Sequence, residues 1–133
     1  MKDPKFSVII PTYNRGYMIM ATLESLFSQS FKHFEIIVVD NCSTDNTEEV
    51  LRPLIEKGAI KFIKHDKNYE RAKSRNTGMN VAQGEFVTFL DSDDFLYKNC
   101  LKDAESFIKR NSDIKIFHNL YELVNSDKET VKT

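Results

Sequence analysis

Short β-branched runs alternate with longer amphipathic stretches along this chain, and the alternation predicts its elements. Phe6-Ser7-Val8-Ile9-Ile10 reads as a strand closed by Pro11. Residues 17–30 read as a helix, with Ile19, Leu23, Leu26 and Phe27 at i, i+4, i+7 and i+8, the spacing of one apolar stripe. Phe34 to Val39 is a second strand, apolar almost throughout, which suits a strand covered on both faces in a parallel sheet. A second helix is predicted to start near Asp45. Asp45 and Glu48 have capping-box spacing, Gly58 offers a C-terminal stop, and Val50, Leu51, Leu54 and Ile55 form its apolar face. Pro53 inside it predicts a kink or a late start, because proline lacks an N–H and clashes with the preceding turn.

Ile60 to Lys64 continues as a third strand, residues 69–83 as a helix ending at Gly84, and Glu85 to Leu90 as a fourth strand. Lys98 to Arg110 is a helix with Leu101, Ala104, Phe107 and Ile108 on one side, and Ile114 to Phe117 starts a fifth strand. The polar stretch 125–133 is expected to fray. Repeated strand–helix–strand units predict an α/β fold with a parallel sheet and right-handed crossovers, in one domain over residues 1–133.

Composition narrows the class. With 41% hydrophobic and 29% charged residues the chain can bury a core and stay in solution. A net charge of −1 gives no overall electrostatic reason to bind nucleic acid or an anionic membrane. Cys42 and Cys100 form no CxxC pair and are too few for a disulfide scaffold, so they read as reduced thiols. The apolar run Phe6 to Ile10 is short of the roughly 7–15 residues of a signal peptide and the roughly 20 of a membrane span. A cytoplasmic protein is expected, and attachment to the inner face of the membrane through other parts stays open.

In open parallel sheets ligands bind at the carboxyl ends of the strands, so those ends hold the candidate chemistry. The first strand ends in Pro11-Thr12-Tyr13-Asn14-Arg15, and the second at Asp40-Asn41 with Ser43 and Asp45 following. The third ends at His65-Asp66 with Asn68 close behind, and the fourth at Asp91-Ser92-Asp93-Asp94. Asp91 and Asp93, two apart at a strand tip, can aim both carboxylates at one point. Their repulsion is relieved by a divalent ion such as Mg²⁺ or Mn²⁺, which also reverses the sign of the interaction with a pyrophosphate. The alternative is that Asp93 or Asp94 caps the following helix. Asp40 has two readings as well, a carboxylate accepting the ring N–H of uracil or an Asx turn into Asn41 and Ser43. Arg71, Lys73 and Arg75 are either phosphate contacts or a solvated basic face. His33, His65 and His118 lack metal-ligand spacing and read as ordinary surface or partly buried residues.

Four segments together resemble family 2 glycosyltransferases of the GT-A fold: Phe6 to Arg15, Glu35 to Thr47, Asn68 to Gly78, and Gly84 to Asp94. They occur in the family's order and spacing and carry the resemblance over residues 6–120. It implies a Rossmann-like, mostly parallel sheet flanked by helices. It also implies positions for donor contacts. Pro11, Thr12, Tyr13 and Asn14 match the loop around the nucleoside, and Asp40 the uracil ligand. Asn68 falls in the third matching segment, and Arg75 and Asn76 match a pair near the donor. Asp91, Ser92 and Asp93 match the DXD motif, with Asp93 as main metal ligand, Asp91 touching ribose or the metal's waters, and Asp94 a further contact. Two departures stand out. Glu70 occupies a position where many members have glycine, and the chain is about half the length of a full catalytic domain of this type.

The family chemistry implied is inverting, metal-dependent transfer of a sugar from a UDP-type nucleotide-sugar to a polysaccharide or lipid-linked acceptor. The part that supplies the acceptor site and general base is expected to lie outside this chain. Glu122, Asp127 and Glu129 match no motif of the family. The alternative from another class is a non-catalytic nucleotide-sugar-binding module. A sugar-phosphate nucleotidyltransferase or a dinucleotide-binding domain would need a glycine-rich phosphate loop, and no strand here is followed by one.

Overall fold

The computed structural model describes residues 3–118 and 124. Its elements run β1 (Phe6–Thr12), α1 (Ile19–Phe27), β2 (Phe34–Asp40), α2 (Thr47–Glu56), β3 (Lys61–Lys64), α3 (Arg71–Val81), β4 (Phe86–Phe89) and α4 (Cys100–Arg110). These four strands pair in parallel, and the sheet order is β3-β2-β1-β4. The chain therefore moves outward from β1 through α1 and α2 to β3. It then returns across the sheet through α3 to place β4 on the free side of β1. The reversal makes the β1/β4 boundary a topological switch point, where the loops after two adjacent strands diverge and leave a crevice.

Both sheet faces are covered, as the apolar runs of β1 and β2 require. On one face Phe6, Val8, Ile10, Ile36 and Val38 join Ile19, Leu23 and Leu26 of α1, Leu51 and Leu54 of α2, and Leu101, Ala104 and Ile108 of α4. On the other, Ile9, Ile37 and Val39 pack with Ile63 and Ala82. There α3 lies close against β1, and Gly78 permits it: a Cβ at that position would stand 2.5 Å from Ile9 Cγ2.

Several boundaries differ from the sequence expectation, each for a local reason. Pro11 does not end β1, which runs on to Thr12. The Thr12 carbonyl accepts from Asn41 N–H (2.9 Å) on the β2 side, so Pro11, one residue earlier, faces the β4 side, where pairing has already stopped at Ile9↔Phe89. Its missing N–H costs no ladder bond. In α2 the capping box does not form. Asp45 accepts from Thr47 N–H at 3.0 Å, while Glu48 turns to Arg52 and Lys64. The helix begins two residues late and carries Pro53 within its span. Phe27, assigned to the buried stripe of α1, is exposed.

The fifth strand expected at Ile114 to Phe117 is absent; those residues have no regular structure. A strand needs a neighbour for its backbone groups. This segment instead follows a turn in which Ile114 N–H meets Asn111 O (2.9 Å), and it is anchored by Phe117 against Phe107, with Ile116 turned to solvent at 92% exposure. The expected fraying of 125–133 and the acidic residues Glu122, Asp127 and Glu129 lie outside the described residues.

Candidate functional site

At the carboxyl edge of the sheet, over the β1/β4 switch point, a cleft of about 680 Å³ opens between four chain segments. The end of β1 contributes Pro11, Thr12, Tyr13 and Arg15. The loop after β2 contributes Asn41. Asn68, Tyr69, Glu70, Arg71, Ser74 and Arg75 form a wall that runs into α3, and Asp91, Ser92 and Asp93 close the cleft from beyond β4. A second hollow of about 750 Å³ lies outside β4 and is largely apolar, with Phe86, Phe89, Leu101 and Phe117 among its walls. Asp93 and Asp94 also reach this second hollow, but acidic, basic and amide groups gather together in the first cleft.

The acidic loop is its most charged part. One oxygen from each of Asp91, Asp93 and Asp94 can be chosen so that all three lie within 4.8 Å of one another, and all three residues are exposed. The neighbouring helix begins at Cys100 with Asn99 as its N-cap, so these carboxylates do not cap it. Burial pushes the Asp94 carboxyl above its ordinary range, and the charges of Asp93 and Asp91 push it the same way. Three hard oxygen donors this close make a set that suits a small divalent cation.

The loop is held from below by α1. Thr22, 1% exposed, brings its hydroxyl to Ser92 O (3.0 Å) and Asp94 O (2.6 Å). Ser25 Oγ accepts from Leu96 N–H at 3.1 Å, and the fully buried Gln29 donates to Tyr97 O (2.7 Å) while accepting from Leu101 N–H (3.1 Å). Thr22 and Ser25 of α1, with Gln29 just past its end, thus fix the path from the acidic loop to α4. Across the cleft Arg75 sits 3.4 Å from Asp91 and stacks over Phe89 at 5.7 Å. Both members of that pair are partly solvated, so the contact orients more than it stabilises. Arg71, one turn earlier on α3, lines the same cleft.

Thr12 and Asp40 are among the polar residues buried at this edge. Thr12 Oγ1 has no hydrogen-bond partner among the described residues although Thr12 is 4% exposed, and it stands at the cleft wall. A buried hydroxyl at a cleft wall is placed to hydrogen-bond a molecule that enters the cleft. Asp40, fully buried, accepts from the Ser43 hydroxyl and, at 3.3 Å, from Ser43 N–H. The carboxylate thus closes on a residue three positions along, one beyond the Asx-turn spacing, and Asp40 does not line the cleft. Asn14, with φ of 51°, is a staple between loops: its Oδ1 accepts from Thr44 N–H (2.8 Å) and Asp45 N–H (3.2 Å). Asn76 lies on an exposed part of α3.

The cleft therefore gathers Pro11, Thr12, Tyr13, Asn68, Arg75, Asp91, Ser92 and Asp93 from the sequence candidates, and leaves Asn14, Asp40 and Asn76 off its walls. Asn41 and Tyr69 on its walls fall at a strand end or within a matching segment with no role assigned to them there, and Thr22 beneath it carries no sequence signal that marks it. For Thr22 the nearest thing to one is a hydroxyl beside the apolar stripe of α1. His65 is more enclosed than expected, at 8% exposure. Glu70 acts locally, its side chain accepting from Ala72 N–H (2.9 Å) and capping α3.

Comparison with known proteins bears on the family and the fold. The glycosyl transferase family 2 profile matches residues 7–130. Poly(ribitol-phosphate) beta-N-acetylglucosaminyltransferase TarS of Staphylococcus aureus (strain Mu50 / ATCC 700699) is 44% identical over 114 residues, which are 83% of this chain and 20% of that protein. The crystal structure of S. aureus TarS 1-349 in complex with UDP-GlcNAc superposes with a TM-score of 0.76 at 43% identity, covering 81% of this chain and 32% of that one. The mannosyltransferase PcManGT from Pyrobaculum calidifontis, in complex with GDP-Man and Mn²⁺, gives 0.72 at 28% identity, covering 81% of this chain and 33% of that one. The chain spans about a fifth of the length of the first of these relatives. The sheet and its flanking helices have the GT-A architecture. With the profile running across nearly all of its length, this chain belongs to glycosyl transferase family 2.

Proposed function

We propose that this chain is the donor-binding part of an enzyme that transfers a sugar, with inversion, from a UDP-type nucleotide-sugar to a polysaccharide or lipid-linked acceptor. The observation that carries the reading is the convergence of Asp91, Asp93 and Asp94 at the switch-point edge, opposite the guanidinium of Arg75 and beside the unsatisfied hydroxyl of Thr12. Bare carboxylates repel a diphosphate, so an anionic ligand in this cleft needs a cation among them. The carboxylate set fits Mg²⁺ or Mn²⁺, held chiefly by Asp93 and Asp91 with Asp94 in reach, and the bound ion would supply Lewis-acid neutralisation of a diphosphate leaving group. UDP is favoured over GDP because this chain is more similar to TarS, solved with UDP and with UDP-GlcNAc, than to PcManGT, solved with GDP-Man.

The chain's own residues then divide the work. Tyr13, 43% exposed at the mouth, offers a ring against the base, and Thr12 a buried hydroxyl to the nucleoside. Arg75, already oriented by Asp91, faces the phosphates, and Asn68 stands further along the same wall. Asp40 acts on the base only if its carboxylate exchanges Ser43 for the ligand. The general base and acceptor site belong to polypeptide beyond this portion. The test is calorimetric titration of the chain with UDP, GDP and ADP, with Mn²⁺ and with chelator, followed by turnover of UDP-sugars by the full-length gene product. Tight UDP binding only with the metal, and turnover by the whole protein, are the expected results. Binding without turnover in the whole protein would mark a non-catalytic module, and no nucleotide binding would reject the reading.

A further inference from the structure

We infer that His65 is a positioning residue for the donor, setting the Asn68–Tyr69 wall of the cleft through Asn41; the inference rests on the donor-binding reading above. His65 is buried just beyond the end of β3, and its backbone N–H is held by Asp40 O at 2.8 Å. Its ring spans two elements. Nδ1 lies 2.9 Å from Asn41 Oδ1, and Nε2 lies 2.8 Å from Thr77 Oγ1 on α3. The Tyr69 ring meets it edge-on at 5.2 Å.

The neighbouring hydrogen bonds fix the direction of the Asn41 contact. Asn41 Nδ2 donates to Tyr69 O at 2.7 Å, so Oδ1 is the acceptor end, and it also takes Tyr69 N–H at 3.0 Å. His65 Nδ1 must then carry a hydrogen and donate it to Asn41 Oδ1. Nε2 meets the Thr77 hydroxyl, whose one hydrogen also has Lys73 O within reach at 2.9 Å. Asn41 is thereby clamped in one rotamer and grips both backbone polar groups of Tyr69. Its own backbone meets Thr12 O through N–H (2.9 Å) and Asn68 Nδ2 through the carbonyl (3.2 Å). Thr12, Asn41, Asn68 and Tyr69 all line the cleft, whereas His65 does not. The imidazole therefore acts at one remove, coupling the height of that wall to α3, which carries Arg71 and Arg75.

The two ring nitrogens can be separated by substitution. In His65→Asn the side-chain amide retains a donor where Nδ1 stands and releases Thr77. In His65→Gln the amide reaches Thr77 and releases Asn41. The measurements, on the full chain, are UDP affinity in Mn²⁺, hydrogen exchange at the Tyr69 amide, and the thermal unfolding midpoint. His65→Gln is expected to weaken UDP about tenfold and speed Tyr69 exchange, as loss of one buried hydrogen bond at an anchored loop would do. His65→Asn is expected to keep both near wild type, even where the two variants lose similar thermal stability. If both variants weaken UDP equally, or if His65→Gln alters neither UDP affinity nor Tyr69 exchange, the positioning role is overturned and His65 is packing only. Failure of the wild-type chain to bind UDP would overturn the donor reading itself, and this inference with it.

Discussion

Thr22 places a single hydroxyl between the Ser92 and Asp94 carbonyls, from a position on α1 closed to water. Replacing that hydroxyl with a methyl removes the one hydrogen the two carbonyls share, with little change in side-chain volume. Thr22→Val is expected to cost about 1–3 kcal/mol in denaturant unfolding, the penalty of a buried acceptor left unmet, and Thr22→Ser much less. UDP affinity in Mn²⁺ is expected to fall with it, since the acidic loop loses its support. At the opposite end of the sheet Glu35 accepts from Ser7 Oγ (2.6 Å) and Gln83 N–H (2.7 Å) and pairs with Lys61 (2.6 Å). Burial raises its pKa, but the hydrogen bonds from Lys61, Ser7 and Gln83 outweigh it and hold the carboxyl below the ordinary range. A depressed folded pKa means stability fully present above the unfolded value of about 4.3 and lost as pH falls through the folded value. Glu35→Gln should therefore lower the thermal midpoint clearly at pH 7 and much less at about pH 3, where the wild-type carboxylate is itself being protonated.

Among the elements, α3 connects core and cleft. Gly78 brings it against Ile9 of β1, and Ser74 and Arg75, on the same helix, line the site. Gly78→Ala would place its methyl carbon 2.5 Å from Ile9 Cγ2, and the expected cost is about 1–3 kcal/mol by chemical denaturation, the range for overpacking. Ile9→Val keeps that Cγ2 and should not rescue the variant, whereas Ile9→Ala removes the clashing atom and should show coupling in a double-mutant cycle. Element type was legible at β1 to β4 and α1 to α4, most directly at β1, β2, α1, α2 and α4, whose apolar patterns match their burial, and less so at α3, which buries Ser74 and Gly78. Boundaries were less so. Pro11 reads as a stop in isolation, and only the point where β4 ends shows that its missing N–H has nothing to lose. Ile114 to Phe117 has the composition of a strand, and composition cannot say whether a neighbour lies alongside to accept its hydrogen bonds.

For the whole molecule, the parallel sheet and its ligand edge followed from the alternation of elements, but the order β3-β2-β1-β4 did not. That order places Thr12 beside Asp91 and Asp93 although about 80 residues separate them along the chain, within the ordinary scope of crossover connections. The acidic tip was readable as a local motif. The Asn41–His65–Thr77 chain and the Thr22 clamp were not, because each joins residues from different elements that share no spacing. Asp40 shows the same limit from the other side: the sequence allowed either a base contact or an Asx turn, and in the folded chain the carboxylate sits on Ser43.

The proposed function depends on carboxylates at the tip of β4 holding a divalent ion, and on that ion admitting a nucleoside diphosphate. The most direct measurement is calorimetric titration of UDP into wild type and Asp93→Asn, each with Mn²⁺ and with chelator. Wild-type affinity is expected to rise at least about tenfold with Mn²⁺, a gain of about 1.4 kcal/mol, and Asp93→Asn is expected to lose that gain while remaining folded. Equal metal dependence in the two proteins would contradict the proposal.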